Sequence, residues 1–188
     1  MKKIFTIVGG VMLVAAIVYL IAGLMGPHGF SFKRSIEVNA PRKRIYQTIT
    51  DYTNMTKWSP WQMYDSAMKT ETFGTQGQIG AGYKWKSDKI GEGQMTTVGL
   101  KENEKINIQL IFGAPMSSTP TSEWLLEDAG VGKTKVTWSF NQTDIPFVKR
   151  PLMLLVNMEK MVGGDYERGL ANLKKLCESE PNTDRKVK

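Results

Sequence analysis

Few residues in this chain are of a type that carries out chemistry, and they are widely separated. There is one histidine, His28, and one cysteine, Cys177. A Ser-His pair, a Cys-His pair or a multi-histidine metal site needs histidine inside a folded domain, whereas His28 lies in a Gly-Pro-His-Gly linker. Cys177 falls near the predicted end of a helix, where the helix dipole opposes thiolate formation. The sequence therefore predicts no catalytic residue, no metal site and no cofactor.

Two carboxylates are the remaining candidates for proton transfer. Glu92 lies in a Gly-Glu-Gly stretch, and Glu71 lies on an early predicted strand. Either residue would be able to act as a general acid or base if it were buried in a cavity. The alternative is that Glu92 caps a turn and Glu71 faces water, as most glutamates do. An enzymatic role for this chain would depend on these two side chains.

Aromatic and methionine side chains are better suited to binding than to catalysis. Trp58 and Trp61 flank Ser59 and Pro60, and the proline prevents a regular helix from burying both indoles on one stripe. Other large side chains fall on the apolar face of predicted strands or on the last helix. They either pack directly on that helix or line a void, and methionine adapts to different guests. Besides the tryptophan pair, the candidate ligand-binding residues are Tyr83, Trp85, Met95, Phe112, Trp124, Trp138 and Met158.

Alternating polarity predicts that antiparallel strands position most of these residues. For example, Tyr83 and Trp85 share one face, whereas Lys84 and Lys86 share the other. Clusters of Gly, Asn, Asp, Ser and Pro separate the strands at hairpin distances. One face of the sheet is therefore expected to be apolar and the other wet. The predicted strands are Ser31–Asn39, Met68–Phe73, Gly82–Ser87, Gly93–Lys101, Lys105–Phe112, Thr121–Glu127 and Lys133–Asn141.

Helical periodicity appears on both sides of the central strands. A short helix is predicted to begin at Ala40-Pro41, with an apolar stripe of Ile45, Tyr46, Ile49 and Tyr52. A longer helical pattern runs from about Pro151 to Glu178. Gly163-Gly164 interrupts this pattern, which predicts a kink or a junction between two helices. The stripe expected to face the sheet consists of Tyr166, Gly169, Leu170, Leu173 and Leu176.

The N-terminal segment is long and apolar enough to be a membrane anchor. Residues 4–25 contain no charged side chain, and a helix of about 20 such residues crosses the bilayer hydrocarbon. A cleavable signal peptide is the alternative, but its apolar region is usually about 7 to 15 residues long and ends in a small-x-small site. We therefore expect an uncleaved single-pass anchor. Basic residues on both sides leave the orientation open; they are Lys2, Lys3, Lys33, Arg34, Arg42, Lys43 and Arg44.

The net charge of +7 does not by itself indicate a nucleic-acid partner. Basic residues are spread along the chain, and neither a zinc-finger pattern nor an RNP-like aromatic motif is present. The glycine-rich stretch at residues 74–82 lacks the lysine and hydroxyl of a phosphate-binding loop and is typical of a hairpin turn. We therefore expect no nucleic-acid binding, and the sequence does not indicate an oligomeric state.

The order of these elements resembles the START/Bet v 1-like (SRPBCC) superfamily, and within it the bacterial polyketide cyclase/dehydrase-like proteins. The matching motifs are IEVNAPRKRIYQTITD, NMTKWSPW, GEGQMT, TKVTWSF and GGDYERGLANLKKLCE, spread over nearly all of residues 31–180. The resemblance implies a helix-grip fold, in which a curved antiparallel sheet of about seven strands surrounds a long C-terminal helix and a cavity. Periodicity alone predicts only an α+β fold.

The same resemblance implies where the site and the domain boundaries lie. In proteins of this kind the loop after the short helices lies near the cavity entrance, which would place Trp58 and Trp61 there. Residues 1–27 would form the membrane anchor and the start of a linker, residues 28–180 the ligand-binding domain, and residues 181–188 a polar tail. The bacterial relatives imply an inner-membrane location, with the side of the domain undecided.

Three functions are compatible with these residues. The leading one is non-catalytic binding of a small hydrophobic or lipid-like ligand by a membrane-tethered domain, driven by burial of apolar surface. The second is a cyclase/dehydrase-like enzyme that uses a cavity carboxylate such as Glu92 or Glu71. The third is a non-catalytic partner or stress-response domain whose cavity is filled by its own side chains.

Overall fold

The computed structural model describes residues 2–114 and 117–179, in which a long N-terminal helix precedes an α+β domain. The helices are α1 (Lys2–Met25), α2 (Arg42–Thr50), α3 (Met55–Trp58), α4 (Arg150–Met153) and α5 (Met158–Ser179). The strands are β1 (Phe30–Val38), β2 (Lys69–Phe73), β3 (Gly82–Ser87), β4 (Gly91–Lys101), β5 (Lys105–Phe112), β6 (Thr121–Asp128) and β7 (Thr134–Gln142). Short 3₁₀ turns occupy Tyr52–Asn54, Pro60–Met63 and Phe147–Lys149. The predicted tail at residues 181–188 lies outside the described residues.

The strands form one antiparallel sheet in the order β1-β7-β6-β5-β4-β3-β2. From β2 onward each strand pairs with the next along the chain, and β1 completes the sheet by pairing with β7. All seven predicted strands are present, and the helix-grip fold class is confirmed. The largest difference in a boundary is at β4, which begins at Gly91 rather than Gly93. Glycine is disfavoured in strands, so the alternation of polarity did not predict that Gly91 and Glu92 belong to β4.

The apolar core lies between the sheet and the helices. On α5, Tyr166, Leu170 and Leu173 are buried, as the predicted stripe requires, whereas Leu176 is only half-buried. Cys177 is buried beside it, and its thiol contacts the Thr48 hydroxyl of α2 at 3.7 Å. The predicted stripe on α2 is also buried, so the short helices and α5 close the same side of the sheet.

The predicted helix junction at Gly163-Gly164 is wrong in position. Helix α5 runs through both glycines, and the break between helices lies upstream, at residues 154–157. Gly163 instead permits a close approach, because a β-carbon there would lie 2.5 Å from Nη2 of Arg34. The Arg34 guanidinium lies across this turn and donates to Glu159 at 2.9 Å and Glu167 at 2.7 Å.

Helix α1 presents its apolar side chains outward and contacts the domain through its C-terminal end. The span Lys3–Met25 is long and apolar enough to cross a membrane, a criterion that a signal sequence also meets. The Tyr19 hydroxyl donates to the carbonyl of Val148, and Gly23 lies against the Phe147 ring. The end of α1 is thereby held beside the 3₁₀ turn that precedes α4.

Candidate functional site

A cavity of about 900 Å³ lies between the sheet, the short helices and α5. Volumes of several hundred Å³ are typical of small-ligand sites in proteins. Most of its wall is formed by aromatic, aliphatic and methionine side chains. The third function requires an interior filled by the chain's own side chains. A cavity of this volume does not fit that requirement.

The structure places every predicted ligand-binding residue on the wall of this cavity. These residues are Trp58, Trp61, Tyr83, Trp85, Met95, Phe112, Trp124, Trp138 and Met158. The strand residues reach the cavity because alternate side chains of β3 to β7 point towards the helices. Met158 reaches it from the first turn of α5. Their contact with a ligand stays a prediction.

Four tryptophans form one continuous aromatic wall. Trp124 and Trp138 are directly opposite each other on β6 and β7, and their rings stack with centroids 4.2 Å apart. Trp58 meets the two rings edge-on at 5.6 Å and 6.0 Å, and Trp61 meets Trp138 edge-on at 5.6 Å. Tyr166 of α5 closes the cluster at 4.0 Å from Trp138. Such ring pairs contribute stability beyond that of their buried area.

The two tryptophans that flank Ser59 and Pro60 differ in exposure. Trp58 is only 2% exposed, whereas Trp61 is half-buried. Helix α3 ends at Trp58, and the 3₁₀ turn begins at Pro60, so the two indoles leave from different elements. They nevertheless reach the same Trp138 ring. Trp58 therefore belongs to the inner wall, and Trp61 lies closer to the surface.

A second aromatic group lies on the strands near the other edge of the sheet. The Tyr83 and Trp85 rings of β3 stack with centroids 6.5 Å apart, and Trp85 meets Phe112 of β5 at 5.6 Å. Met95 on β4 is paired with Tyr83 across the strands. Between the two aromatic groups, Ile108 and Leu110 of β5 line the cavity. The sheet therefore offers an aliphatic floor with an aromatic wall on each side.

Several polar groups around the cavity are hydrogen-bonded to one another, whereas the Trp58 indole N–H and the Tyr83 hydroxyl are buried without a hydrogen-bond partner among the described residues. The Trp138 indole donates to the Ser122 hydroxyl at 2.9 Å, and this hydroxyl donates to the Ser139 carbonyl at 2.8 Å. The Tyr52 hydroxyl lies 2.9 Å from that of Thr97, and burial raises the pKa of Tyr52 to about 12. A ligand would therefore meet few free hydrogen-bonding groups at the hydrogen-bonded positions.

A polar cluster that the sequence analysis missed stands on the cavity wall. The Tyr64 hydroxyl donates to Asp165 Oδ1 at 2.6 Å, and the Arg168 guanidinium donates to both groups. The hydrogen bond to Asp165 raises the pKa of Tyr64. Asp165 is nearly buried, whereas Arg168 is half-exposed. The available signal was an aspartate beside Tyr166 on the buried face, three residues before an arginine.

The two carboxylates considered for catalysis lie outside the cavity. Both Glu71 and Glu92 are exposed, and Glu92 lies in β4, with its carboxylate 3.9 Å from the Lys86 ammonium, rather than capping a turn. The carboxylates that do line the cavity are Asp144 and Asp165. Within residues 2–114 and 117–179, no three His, Cys, Asp or Glu side chains are grouped as a metal site requires.

The sequence also did not identify the segment that follows β7 as part of the wall. Ile145, Lys149, Met153 and Met161 all contribute side chains to the cavity. The predicted helical pattern from about Pro151, with its interruption at Gly163-Gly164, did not indicate that these side chains face the cavity. The methionines at positions 153, 158 and 161 were the available signal.

Comparison with known proteins identifies the family of the α+β domain. The family described as polyketide cyclase/dehydrase and lipid transport matches residues 29–178, nearly the whole of the α+β domain. No functionally curated protein matches the chain in sequence.

Solved structures show the same fold. The Zhui aromatase/cyclase from a Streptomyces species has a TM-score of 0.61 at 15% identity, over 85% of this chain and 100% of its own. A protein from Chromobacterium violaceum has a TM-score of 0.58 at 14% identity, over 80% and 98% of the two chains. Ara h 8.0201 has a TM-score of 0.55 at 12% identity, over 81% and 99%. At these identities the likeness concerns the fold alone.

Proposed function

The chain belongs to the polyketide cyclase/dehydrase and lipid transport family of the SRPBCC superfamily, and on this premise we propose that it binds a small hydrophobic or lipid-like molecule without transforming it. The observation that carries the proposal is the cavity of about 900 Å³ with its two aromatic groups and aliphatic floor. Glu71 and Glu92, the carboxylates considered for catalysis, are exposed outside it.

Burial of apolar surface supplies the binding energy. Each Å² of apolar surface removed from water contributes about 25 cal/mol, so a ligand burying roughly 300 Å² gains about 7.5 kcal/mol before the cost of association. Polar groups such as the hydroxyls of Ser122 and Tyr52 are already hydrogen-bonded to other side chains of the domain and add little to this driving force. We expect affinity to follow ligand size and apolar area more than any one hydrogen bond.

Helix α1 supports the further proposal that the domain is tethered to a membrane as a single-pass protein. Its apolar side chains are exposed over the whole candidate span, an arrangement that is unfavourable in water and favourable in lipid. Cleavage of the segment as a signal peptide is the competing outcome. Intact-mass measurement of the protein from bacterial membranes, with extraction at alkaline pH, separates the two, because only an uncleaved span remains in the membrane.

An enzyme of the cyclase/dehydrase kind is the second candidate, and one observation favours it. Asp165 is a nearly buried carboxylate on the cavity wall, hydrogen-bonded to the Tyr64 hydroxyl at 2.6 Å. Such a pair is able to pass a proton to or from a bound molecule. Asp165→Asn would then abolish conversion of a ligand that the variant still binds. Binding without conversion by the unaltered protein favours the first candidate.

The test of ligand binding is native mass spectrometry with lipid extraction of the full chain purified in detergent. We expect a reproducible apolar small molecule, and we expect Leu110→Trp to lose it because the indole occupies the cavity floor. The matched control is Ile111→Trp, which adds the same side chain at the next position, on the outer face of β5. The proposal fails if the unaltered protein carries no such molecule, or if both variants retain it equally.

A further inference from the structure

Large apolar side chains are exposed along the segment that joins β7 to α5 and on the first turn of α5. Their exposed fractions reach 61% for Val148, 58% for Leu152, 84% for Leu155 and 66% for Met161. With Leu154, which is 50% exposed, we call these five residues the apolar rim. Monomeric soluble proteins rarely expose such a concentrated apolar group, and it usually marks an interaction surface.

The apolar rim is continuous with the edge of the cavity. Met153 and Met161 line the cavity, although they lie within or beside the rim. Lys149 also lines it, and its ammonium donates to the carbonyl of Ser117 on the facing loop at 3.0 Å. The break between α4 and α5 lies inside the rim. A molecule entering the cavity at this edge would therefore pass the rim's apolar side chains.

Contacts with α1 fix the level of the rim relative to the candidate membrane span. Tyr19 bonds the carbonyl of Val148, and a β-carbon on Gly23 would lie 2.5 Å from the Phe147 ring. Helices rise 1.5 Å per residue, so Tyr19 lies about 9 Å inside the Met25 end of the span. About 20 residues of the apolar run, counted from Ile4, cross the hydrocarbon of the bilayer. The boundary of the hydrocarbon therefore lies near Gly23. Phe147 is therefore held at that boundary, and the Val148 carbonyl, which is bonded to Tyr19, lies about 6 Å inside it.

The charge of this segment also suits a lipid surface. Lys149, Arg150 and Lys160 lie among the rim residues, and the only acidic side chain between residues 147 and 161 is Glu159. Glu159 is bonded to Arg34 at 2.9 Å, so its charge is compensated within the protein. Apolar side chains flanked by lysine and arginine are typical of segments that lie in the headgroup region of anionic bilayers.

We propose that the apolar rim docks in the surface of the bilayer that α1 spans, and that the cavity exchanges its ligand directly with that leaflet. This inference rests on the proposed function, because it requires α1 to be an uncleaved span and the cavity to bind an apolar molecule. It adds the route: the ligand passes from lipid to the aromatic wall without crossing water. A second copy of the chain or a partner protein on the rim would be a different outcome.

Depth-dependent fluorescence quenching tests the docking. The full chain, with Cys177→Ala and Leu155→Cys, is labelled with an environment-sensitive dye and placed at one copy per nanodisc of phosphatidylethanolamine and phosphatidylglycerol. Spin-labelled lipids with shallow nitroxides should quench this dye at least about fivefold more than a dye at Val131→Cys. Val131 is fully exposed in the turn between β6 and β7, at the other end of β7, a strand about 27 Å long. Equal quenching at both sites overturns the proposal, and single-copy discs exclude a second chain.

Loading kinetics test the route. The Leu154→Glu, Leu155→Glu double variant should bind a fluorescent fatty acid in detergent as the unaltered protein does, yet take it up from the nanodisc bilayer about tenfold more slowly. Val131→Glu is the control and should leave both rates unchanged. Equal uptake rates in the bilayer overturn the direct route.

The two levels of the proposal fail separately. If the protein resists alkaline extraction but the Leu155 dye is not quenched, the docking is wrong and the membrane tether still holds. A normal docking signal in a protein that binds no apolar molecule removes the ligand-binding function and leaves the rim as a membrane contact. Protection of the Leu155 dye only after addition of a soluble protein fraction would assign the rim to a protein partner and overturn the proposal.

Discussion

At the scale of single residues, Tyr52 both lines the cavity and stabilises the fold. Its side chain is 2% exposed, and its hydroxyl lies 2.9 Å from the Thr97 hydroxyl. Burial raises the pKa of Tyr52 from 10.0 to about 12, because the phenolate would lie in an apolar environment. The folded state therefore holds the proton more tightly than the unfolded state does.

The sign of the pH dependence follows from that difference. The contribution of Tyr52 to stability is complete below the unfolded pKa of 10.0 and is lost as the pH rises through about 12. The loss amounts to about 3 kcal/mol over this window. We expect Tyr52→Phe to have a free energy of unfolding about 1 kcal/mol lower near neutral pH, through the lost hydrogen bond, and a weaker decline with alkaline pH. Urea unfolding of both proteins at about pH 8 and about pH 11 measures this, and parallel declines would contradict it.

At the scale of the element, the two adjacent glycines of α5 provide a matched pair. Gly164 is exposed with open space where a β-carbon would lie, whereas a β-carbon on Gly163 would lie 2.5 Å from Arg34. We expect Gly164→Ala to raise the free energy of unfolding by about 1 kcal/mol, because alanine favours the helix. Gly163→Ala should gain less, since Arg34 must leave Glu159 and Glu167.

The cause of that difference is separable by a double-mutant cycle. In an Arg34→Ala background, Gly163→Ala should stabilise α5 about as much as Gly164→Ala does, because nothing then occupies the space. Urea midpoints of the four proteins of the cycle, and of Gly164→Ala, provide the measurement. If Gly163→Ala remains less favourable without Arg34, the close approach is not its cause.

The elements that the sequence predicted well are those whose signal is local. Alternation of apolar and polar residues predicted β5 and the neighbouring strands because each strand has one wet face. The same alternation placed Trp124 and Trp138 on the inner face. The break between α4 and α5 was missed, since Leu154–Asn157 contains neither glycine nor proline, whereas Gly163-Gly164 attracted the prediction. The role of Gly163 depends on Arg34, which is distant in sequence.

In the candidate site too, local patterns were predictable from the sequence, whereas contacts between residues distant in sequence were not. Aromatic residues on strands were predictable because a strand fixes which side chains share a face. The Tyr64–Asp165 hydrogen bond joins residues separated by 101 positions, one after the 3₁₀ turn and one on α5. The Ser59-Pro60 spacer predicted that a regular helix does not bury Trp58 and Trp61 on one stripe. It did not predict that both meet Trp138, because that depends on how α3 packs over the sheet.

At the scale of the whole molecule, α1 and the α+β domain are structurally separable. The buried core contains no residue of α1, and β1 begins at Phe30, after the Gly-Pro-His-Gly linker. The Tyr19–Val148 hydrogen bond and the Gly23–Phe147 contact join the two parts at the end of α1. These contacts position the domain relative to α1, whereas the fold depends on packing between the sheet, α2 and α5.

A chain beginning at Pro27 should therefore fold without the helix. We expect one cooperative urea transition with a free energy of unfolding within about 1 kcal/mol of the full chain in the same detergent, since α1 contacts the domain mainly through residues 147–153, outside the buried core. We also expect this shortened protein to self-associate in detergent-free buffer, because removal of α1 uncovers Phe147 beside the apolar rim. Leu154→Glu with Leu155→Glu should restore the monomer in sedimentation experiments, whereas Val131→Glu should not. If the shortened chain unfolds without cooperativity, α1 is part of the fold. If the shortened chain is already a monomer without the two glutamate substitutions, the apolar rim does not cause self-association in water.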